Sequence, residues 1–545
     1  MIKKMAVLVI LLFALFLRVY RLGDVPPNLH ADEASFIINS ASIIESGRDE
    51  DNRLLPIYLY SIKDFKPALY SYLQVPVFIL FGLSAFTSRL PAVFFGLISL
   101  VAFYLLADEI FEDQRYAIIA LAILSISPWH IAISRATQEV IMSFTFCLLS
   151  FLLLFRFIKK WDAEQKISYL MIALMMISNL LAMYSYHSYK IFIPIIFVVI
   201  AIYLYLSSAK STKKSAIQVP ALISATVLIP FVLTFAGAMV RFSAIGLLSS
   251  DLPKAMIFEY TTQVTGSAPI WFLRAFYNKP VFYLREFLHN YFSHYTGNYL
   301  FLQGGETARY LIPDQGWLHI IDLPLLILGT VYILIKKKKA LLKLFLALIF
   351  IAYPLAASFT TEDIPSSDRP FQGIIFYSFI VTLGLQVILE IKNKYLCRLL
   401  IGAVIVGYAW SFGYFYNQYF NLMPTYHQYH RSQDYQILAE AIVETQDDYE
   451  RVIVSNDLRE LYIYLWLENQ IEISDLQQLP LARYEDEYQV GKYVFNRDQC
   501  NFSEATANDL LVGASSCVSR SAQNIKVIKE THFDDLTVAH TLYSL

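Results

Sequence analysis

The chain has 545 residues, of which 57% are hydrophobic and only 16% charged, with a formal net charge of −2. Soluble domains carry about 25% charged residues, so this composition excludes an ordinary soluble protein. The net charge says nothing about partners, and no basic stretch with interleaved aromatics points to nucleic acid.

Lys3 and Lys4 precede the apolar run Met5–Tyr20, which lacks a small-residue cleavage site and is followed by polar sequence. It reads as a retained signal-anchor helix. Further apolar runs of membrane-helix length follow at Lys66–Leu83, Arg89–Leu106, Tyr116–Ser134, Val140–Ile158, Ile167–Ser185, Ile191–Leu206 and Ile217–Ala236, and then at Trp317–Ile335, Leu341–Phe359, Phe371–Leu389 and Leu396–Tyr416. Basic residues cluster between particular runs: Arg156, Lys159, Lys160 and Lys166; Lys210, Lys213 and Lys214; Lys336 to Lys339; Lys392, Lys394 and Arg398. The positive-inside rule puts these clusters and the N-terminus in the cytoplasm.

Parity then decides the topology. Between Lys4 and Lys159 the chain must cross an even number of times, yet five apolar runs lie there. Lys66–Leu83 opens with Lys66-Pro67, contains Tyr70 and Tyr72 and carries Pro76 in its middle. Tyrosine favours the interface and a central proline weakens a spanning helix, so this run reads as interfacial or re-entrant on the outer face. The expected fold is therefore an all-α polytopic bundle of about 11 crossing helices plus interfacial helices. Residues 1–416 form the membrane module, with extracytoplasmic loops 21–88 and 237–316, and residues 417–545 form a small extracytoplasmic α/β or α+β domain. In that tail, Asp434–Tyr449 and Leu458–Leu467 read as helices. Arg451–Ser455, Ile471–Ile473, Lys492–Phe495, Leu510–Val512, Ile525–Ile528 and Thr537–Leu542 read as strands.

A charge in mid-membrane costs at least ~2.5–3.5 kcal/mol. Here the charges gather instead at outer helix ends and loops: Asp32, Glu33, Lys66, Arg89, Arg135, Glu139, Lys190, Glu306, Arg309, Asp368 and Arg369. A proton-coupled transporter would more often place a carboxylate inside a helix, so the pattern suits a site at the outer membrane surface. The stretch Asn28–Lys66 is its centre, with Asp32-Glu33 just past the first membrane exit and Lys66 nearby. Each residue also has a plain structural reading: Arg89 as a headgroup anchor, Arg135 and Glu139 as a local ion pair, and His130 and His187 as interface residues. His294 is able to stack on a sugar or to fill a core. Cys147 and Cys397 lie in or beside apolar runs and read as packing residues, whereas Cys500 and Cys517 in the polar tail are disulfide candidates on an oxidising side of the membrane.

The ordered set Asp32-Glu33, Lys66-Pro67-Ala68-Leu69-Tyr70, Arg89-Leu90-Pro91, Ser127-Pro128-Trp129-His130 and Ser134-Arg135 resembles the protein O-mannosyltransferase-like glycosyltransferases of the GT-C superfamily, in their bacterial or archaeal form. That group includes the lipid A aminoarabinose transferases. Gly304-Gly305-Glu306, Arg309 and Asp322-Leu323-Pro324 resemble the late loop and following helix of the same proteins. The resemblance implies inverting transfer of a sugar from a polyprenyl-phosphate donor, at the extracytoplasmic face, to a protein hydroxyl, a lipid or a cell-envelope glycan. It implies Asp32 as general base, Glu33 as its support or the acceptor's guide, and Lys66 and Arg135 as groups for the donor phosphate. His30, Arg89, Glu139, His294, Glu306, Arg309 and Arg369 stand as substrate-binding candidates. Phe65 replaces the glutamate that the aminoarabinose enzymes carry before Lys-Pro, and the Trp-Trp-Asp motif of oligosaccharyltransferases is absent. The scheme requires no cofactor; a divalent metal fits the chemistry but finds no support in the sequence. The alternatives are a lipid or polysaccharide transporter, which needs a continuous polar path, and a membrane scaffold whose tail binds a partner.

Overall fold

The structure, a computed structural model, describes residues 2–62, 64–208, 215–264, 266, 268–336, 340–426, 431–479, 486–517, 525–533 and 536–545. The lysines at 210, 213, 214 and 337–339 lie outside them. Two compact units divide the chain: Met1–Tyr20, Ala92–Arg135 and Glu139–Gln418 form the first, and Arg21–Pro91, Ala136–Gln138 and Tyr419–Leu545 the second.

The first unit is helical. Among the described residues, seven helices of the chain are long and apolar enough to cross a membrane: Ala85–Phe111, Val140–Glu164, Tyr189–Ser207, Ile217–Phe235, Ala340–Ser358, Phe371–Leu389 and Lys394–Leu422. Leu69–Phe81, Gln114–Ile126, Tyr169–Ser185 and Asp322–Ile335 are shorter apolar helices, and the chain is an integral membrane protein. The helix Ile2–Val19 carries Lys3, Lys4 and Arg18 at its ends. Small residues let helices meet at backbone distance. A Cβ on Gly329 would stand 2.0 Å from the Ile380 carbonyl oxygen, and one on Gly384 would stand 2.1 Å from that of Leu325. The helices Asp322–Ile335 and Ile374–Leu389 therefore pack face to face only because both positions lack a side chain.

Three boundaries depart from the expected runs. Tyr116–Ser134 is broken at Ser127-Pro128, where Pro128 opens a new short helix and the Ser127 side chain caps it. The run Ile217–Ala236 belongs to one helix, Ser215–Ile245, so the following loop starts later than 237. Lys66 does not begin a helix: it lies in a strand, and the helix starts at Leu69.

The second unit holds all eight strands of the described residues. A hairpin pairs β1 (Tyr58–Ser61) with β2 (Asp64–Pro67). A six-stranded sheet has the order β4-β5-β3-β6-β8-β7, with β3 Arg451–Val454, β4 Tyr488–Val490, β5 Tyr493–Phe495, β6 Asp509–Gly513, β7 Lys526–His532 and β8 Val538–Ser544. β3 runs parallel to both β5 and β6. Its Val452-Ile453-Val454 run is buried throughout, as a central parallel strand covered on both faces must be. The expected strand Ile471–Ile473 is instead the start of a helical turn, Ile473–Leu476. So short an apolar run does not distinguish the two states by periodicity. Cys500 and Cys517 are joined, with Cα atoms 5.1 Å apart.

The core of this unit joins distant parts of the chain. Ala34, Ile38 and Ala41, from the helix Ala31–Ser46, share one cluster with Leu438, Ile442, Val452, Val454, Tyr462 and Leu465. The helix Ala31–Ser46 is thus a core element of the second unit.

Candidate functional site

The site is built on the first turn of the helix Ala31–Ser46. His30 is its N-cap: Nδ1 accepts from the Asp32 amide at 3.1 Å, while the Glu33 carboxylate accepts from the His30 amide at 3.3 Å. This reciprocal capping satisfies amides that a helix start leaves unpaired. Both carboxylates also gain from the positive end of the helix dipole. At the other end Gly47, at φ 70°, takes the left-handed conformation that closes the helix.

Successive helical residues point about 100° apart, and the two acids have opposite environments. Glu33 is fully buried. Its Oε1 accepts from Arg89 Nε at 3.2 Å and from the Thr137 amide at 2.8 Å, and its Oε2 accepts from Arg89 Nη2 at 3.3 Å and from Arg431. Arg89 also donates to the carbonyls of Leu22, Pro26 and Asn28 at 2.8, 2.9 and 2.6 Å, and Arg431 donates to that of Pro27 at 3.1 Å. Burial by itself raises the Glu33 carboxyl; the Arg89 and Arg431 guanidiniums outweigh it and bring it down to about 2. Glu33 and Arg89 are therefore an internal clasp, enclosed by protein groups, and neither presents a free face to a substrate.

Asp32 points the other way, with a quarter of its side chain exposed. Lys66 Nζ donates to Asp32 Oδ1 at 2.7 Å and to Ser35 Oγ at 2.7 Å, and it lies 5.5 Å from the centre of the Phe36 ring. The hairpin fixes that ammonium, since Lys66 pairs with Leu59 across the β1–β2 ladder. Lys66 is nearly buried, so the ion pair is oriented and only Asp32 reaches solvent.

The tail supplies two residues that no local pattern marked. Arg431 closes the Glu33 clasp. Glu460 precedes the helix Leu461–Leu467, and its carboxyl is pushed up to about 7, first by burial and then by the charges of Asp32 and Asp434, against the opposing pull of Lys66. The Ser432 hydroxyl accepts from the Ala31 amide at 3.3 Å, and the Tyr464 hydroxyl donates to the Leu29 carbonyl at 2.9 Å. A cavity of ≈ 200 Å³ lies on this side, lined by Leu29, Leu83, Ser84, Ala85, Gln436, Ala439, Tyr464, Leu467 and Glu468. The polar hydroxyl, amide and carboxylate among apolar walls suit an amphiphile. Among the described residues no three His, Cys, Asp or Glu side chains gather to hold a metal.

His30, Asp32, Glu33, Lys66 and Arg89 thus come together in the second unit. The remaining sequence candidates belong to the first. Arg135 is fully buried and donates to the carbonyls of Leu17 and Tyr20 at 2.6 and 2.8 Å, clamping the end of the first helix. Those bonds give its guanidinium a structural task in place of the expected phosphate. Glu139 is buried at the head of the helix Val140–Glu164. His294 is buried, its Nδ1 bonded to the Asn290 carbonyl at 2.7 Å and its Nε2 accepting from the Ser366 amide at 2.9 Å, which is a core role and not a sugar platform. Arg309 donates to Asp368 at 2.5 Å, and Arg369 donates to Thr360 Oγ1 at 3.0 Å and to the Glu362 carbonyl at 2.5 Å. Glu306 is exposed. His130, expected at the interface, is buried between Arg18, 2.7 Å from Nδ1, and Ser99, 2.8 Å from Nε2.

Residues 65–235 match the family model described as dolichyl-phosphate-mannose-protein mannosyltransferase. No curated protein matches the chain in sequence. Among solved structures, the chain is similar to ArnT from Cupriavidus metallidurans bound to undecaprenyl phosphate, with 12% identity and a TM-score of 0.53 over 100% of this chain and 97% of that one. It is also similar to the Archaeoglobus fulgidus oligosaccharyltransferase tethered with an acceptor peptide, with 11% identity and a TM-score of 0.51 over 85% of this chain. The chain spans only 62% of the length of that archaeal protein. The chain therefore shares its fold with ArnT from Cupriavidus metallidurans and, over residues 65–235, matches the family model of the dolichyl-phosphate-mannose-protein mannosyltransferases.

Proposed function

We propose that the protein is an inverting glycosyltransferase that moves a sugar from a polyprenyl-phosphate donor to an acceptor hydroxyl at the extracytoplasmic face of the membrane. The observation that carries this reading is the Asp32–Lys66 pair, a solvent-reaching carboxylate held 2.7 Å from a nearly buried ammonium in a chain of GT-C fold. Lysine-rich connections assign the cytoplasmic side, and the Cys500–Cys517 bridge suits an oxidising compartment for the tail.

A sugar phosphodiester already carries a good leaving group, so the protein has two tasks. Asp32 takes the proton of the acceptor hydroxyl as the acceptor oxygen bonds to the anomeric carbon. The bond from that carbon to the phosphate oxygen breaks from the opposite face, and its electron pair leaves with the lipid phosphate. Lys66 stabilises that growing negative charge. Glu33 touches neither reactant. It holds the helix turn that aims Asp32, which is a positioning role.

The test is transfer by purified protein, in lipid nanodiscs, from a polyprenyl-phosphate hexose to envelope lipid and peptide acceptors. Asp32→Asn lowers the turnover rate by ~10²–10⁴-fold with donor binding nearly unchanged, the range expected for loss of a general base. Lys66→Ala weakens donor binding. Transfer by Asp32→Asn within a few-fold of wild type would overturn the assignment.

A further inference from the structure

Histidine is an uncommon cap for the helix that carries Asp32. Serine, threonine, aspartate and asparagine lead at this position, and none of them changes charge near neutrality. An imidazole does, and its two nitrogens differ in role. His30 Nδ1 accepts from the Asp32 amide at 3.1 Å, which needs a bare nitrogen, so the neutral ring carries its proton on Nε2. The same Nδ1 stands 3.7 Å from Asp32 Oδ2. One nitrogen thus faces both the amide and the carboxylate of Asp32. With 21% of its side chain exposed, His30 exchanges protons with water.

The main chain around this ring is pinned. Asn28, at φ 53°, offers its carbonyl to Arg89 at 2.6 Å and to Arg431 at 3.5 Å. The Leu29 carbonyl accepts from the Tyr464 hydroxyl at 2.9 Å, and the His30 and Ala31 amides donate to Glu33 Oε2 and Ser432 Oγ, both at 3.3 Å. The charged groups around the helix start are therefore Asp32 and Glu33 on the helix itself, Arg89, Lys66 from the hairpin, and Arg431 from the tail, with the Glu460 carboxyl in the field of Asp32. Glu33 already has two guanidiniums, and Lys66 holds Asp32 Oδ1 at 2.7 Å. With the backbone fixed, the change left to a protonated His30 is a rotation of its ring towards Asp32 Oδ2.

We propose that His30 is a positioning residue that switches Asp32 with pH: the neutral ring holds the Asp32 amide and leaves the carboxylate to the acceptor hydroxyl, whereas the protonated ring turns its Nδ1–H onto Oδ2. This rests on the glycosyltransferase reading above. A proton on Nδ1 takes up the lone pair that the Asp32 amide uses, so the cap is lost. The new positive charge also opposes the helix dipole at this end, which leaves a charge-assisted bond to the carboxylate as its compensation. Asp32 then has an imidazolium on one oxygen and the Lys66 ammonium on the other. Two cations favour the ionised carboxylate, so it is a weaker base, and its second oxygen is occupied. His30 itself touches no bond that forms or breaks.

The experiment is a pH–rate profile of the full-length protein in nanodiscs, wild type against His30→Asn and His30→Ser, two caps that do not titrate. Wild-type kcat rises through the imidazole range, between about pH 5 and 8, by up to ~10-fold per pH unit, and then levels off. His30→Asn lowers the plateau ~2–5-fold and removes that limb, so the variant outpaces wild type on the acid side, with the donor KM unchanged. A residue that only capped the helix would lower the plateau and leave the limb in place. His30→Ser gives the same profile and serves as the test should the Asn variant fold poorly. Nitrogen-15 NMR of histidine-labelled protein, with the His30 signals identified by their loss in either variant, shows Nδ1 bare above the limb and protonated below it. An active wild type whose limb survives the substitution, or whose Nδ1 stays bare below the limb, overturns the proposal alone. A wild type whose Nδ1 titrates in this way but which transfers sugar to no acceptor overturns the glycosyltransferase reading, and the proposal falls with it.

Discussion

Asp32 and Glu33 are chemically near-identical neighbours with opposite roles, and their surroundings explain why. Two arginines and the amides of His30 and Thr137 enclose Glu33, while Lys66 holds Asp32, a quarter of which reaches solvent. Glu33→Gln removes the counter-charge of two buried guanidiniums, and breaking a buried pair in this way costs ~3–5 kcal/mol. The loss is read as a lowered melting temperature in detergent. The pH dependence has a definite sign. The folded value of about 2 lies below the ordinary value of 4.5, so the stabilisation is complete above about 4.5 and is lost as pH falls towards 2. Wild type should therefore lose stability across that window by an amount that Glu33→Gln lacks. Equal acid sensitivity in the two proteins would show that the clasp does not form. Arg431→Ala should share the defect, because it strips the same carboxylate of a partner held from a distant part of the chain.

Elements act by placing these residues. The His30 cap starts the helix one residue before Ala31 and so fixes where Asp32 emerges; His30→Ala removes a side-chain cap worth ~1 kcal/mol. The β1–β2 hairpin brings Lys66 under that turn, which a helix beginning at Lys66 would not do. In the tail, the Cys500–Cys517 bridge closes a loop with a sequence separation of 17, and a loop of this size is stabilised by ~3 kcal/mol. Cys500→Ser with Cys517→Ser should lower the melting temperature of the protein and raise its susceptibility to protease between β5 and β6. An unchanged melt and unchanged cleavage would mean the bridge is dispensable. The apolar packing of Ile453, Phe502, Leu511 and Tyr543 around the two sulfurs makes that outcome unexpected.

For the whole molecule, the consequence is that the tail cannot be removed without harm. Ala34, Ile38 and Ala41 are buried against tail residues, so truncation after Gln418 uncovers one face of the helix that carries Asp32 and leaves Glu33 without Arg431. Exposing a buried Ile costs ~1.5–3 kcal/mol in apolar transfer alone. The truncated protein, although it retains Asp32, Lys66 and all the long apolar helices but for the last residues of Lys394–Leu422, should be inactive and aggregated on size-exclusion chromatography. A monodisperse, active truncation would sink this view of the tail. Topology is tested with reporters: fusions at Ser84 and after Leu545 should read as extracytoplasmic, and one between Lys392 and Lys394 as cytoplasmic. A cytoplasmic signal at Ser84 would mean that Leu69–Phe81 spans the membrane and that the parity argument fails.

The sequence by itself determined the class of the molecule. Apolar runs of membrane length, the placing of charge outside them and a polar tail with short β-rich segments are local properties, and hydrophobic burial acts on them wherever the chain goes. It also brought attention to Asp32 and Lys66, whose setting after a membrane exit and before Pro67 is visible in a short window. Only the tertiary structure decided which acid faces solvent, that Arg89 and Arg135 are internal clamps, and that Arg431 meets Glu33 across a sequence separation of 398. It also decided that Glu460 stands in the field of Asp32 and Lys66. The reason is physical: a charged residue has the same local signature whether it is solvated or buried in a pair. Its proton affinity and its role depend on partners that the chain brings near only after distant apolar faces have packed together.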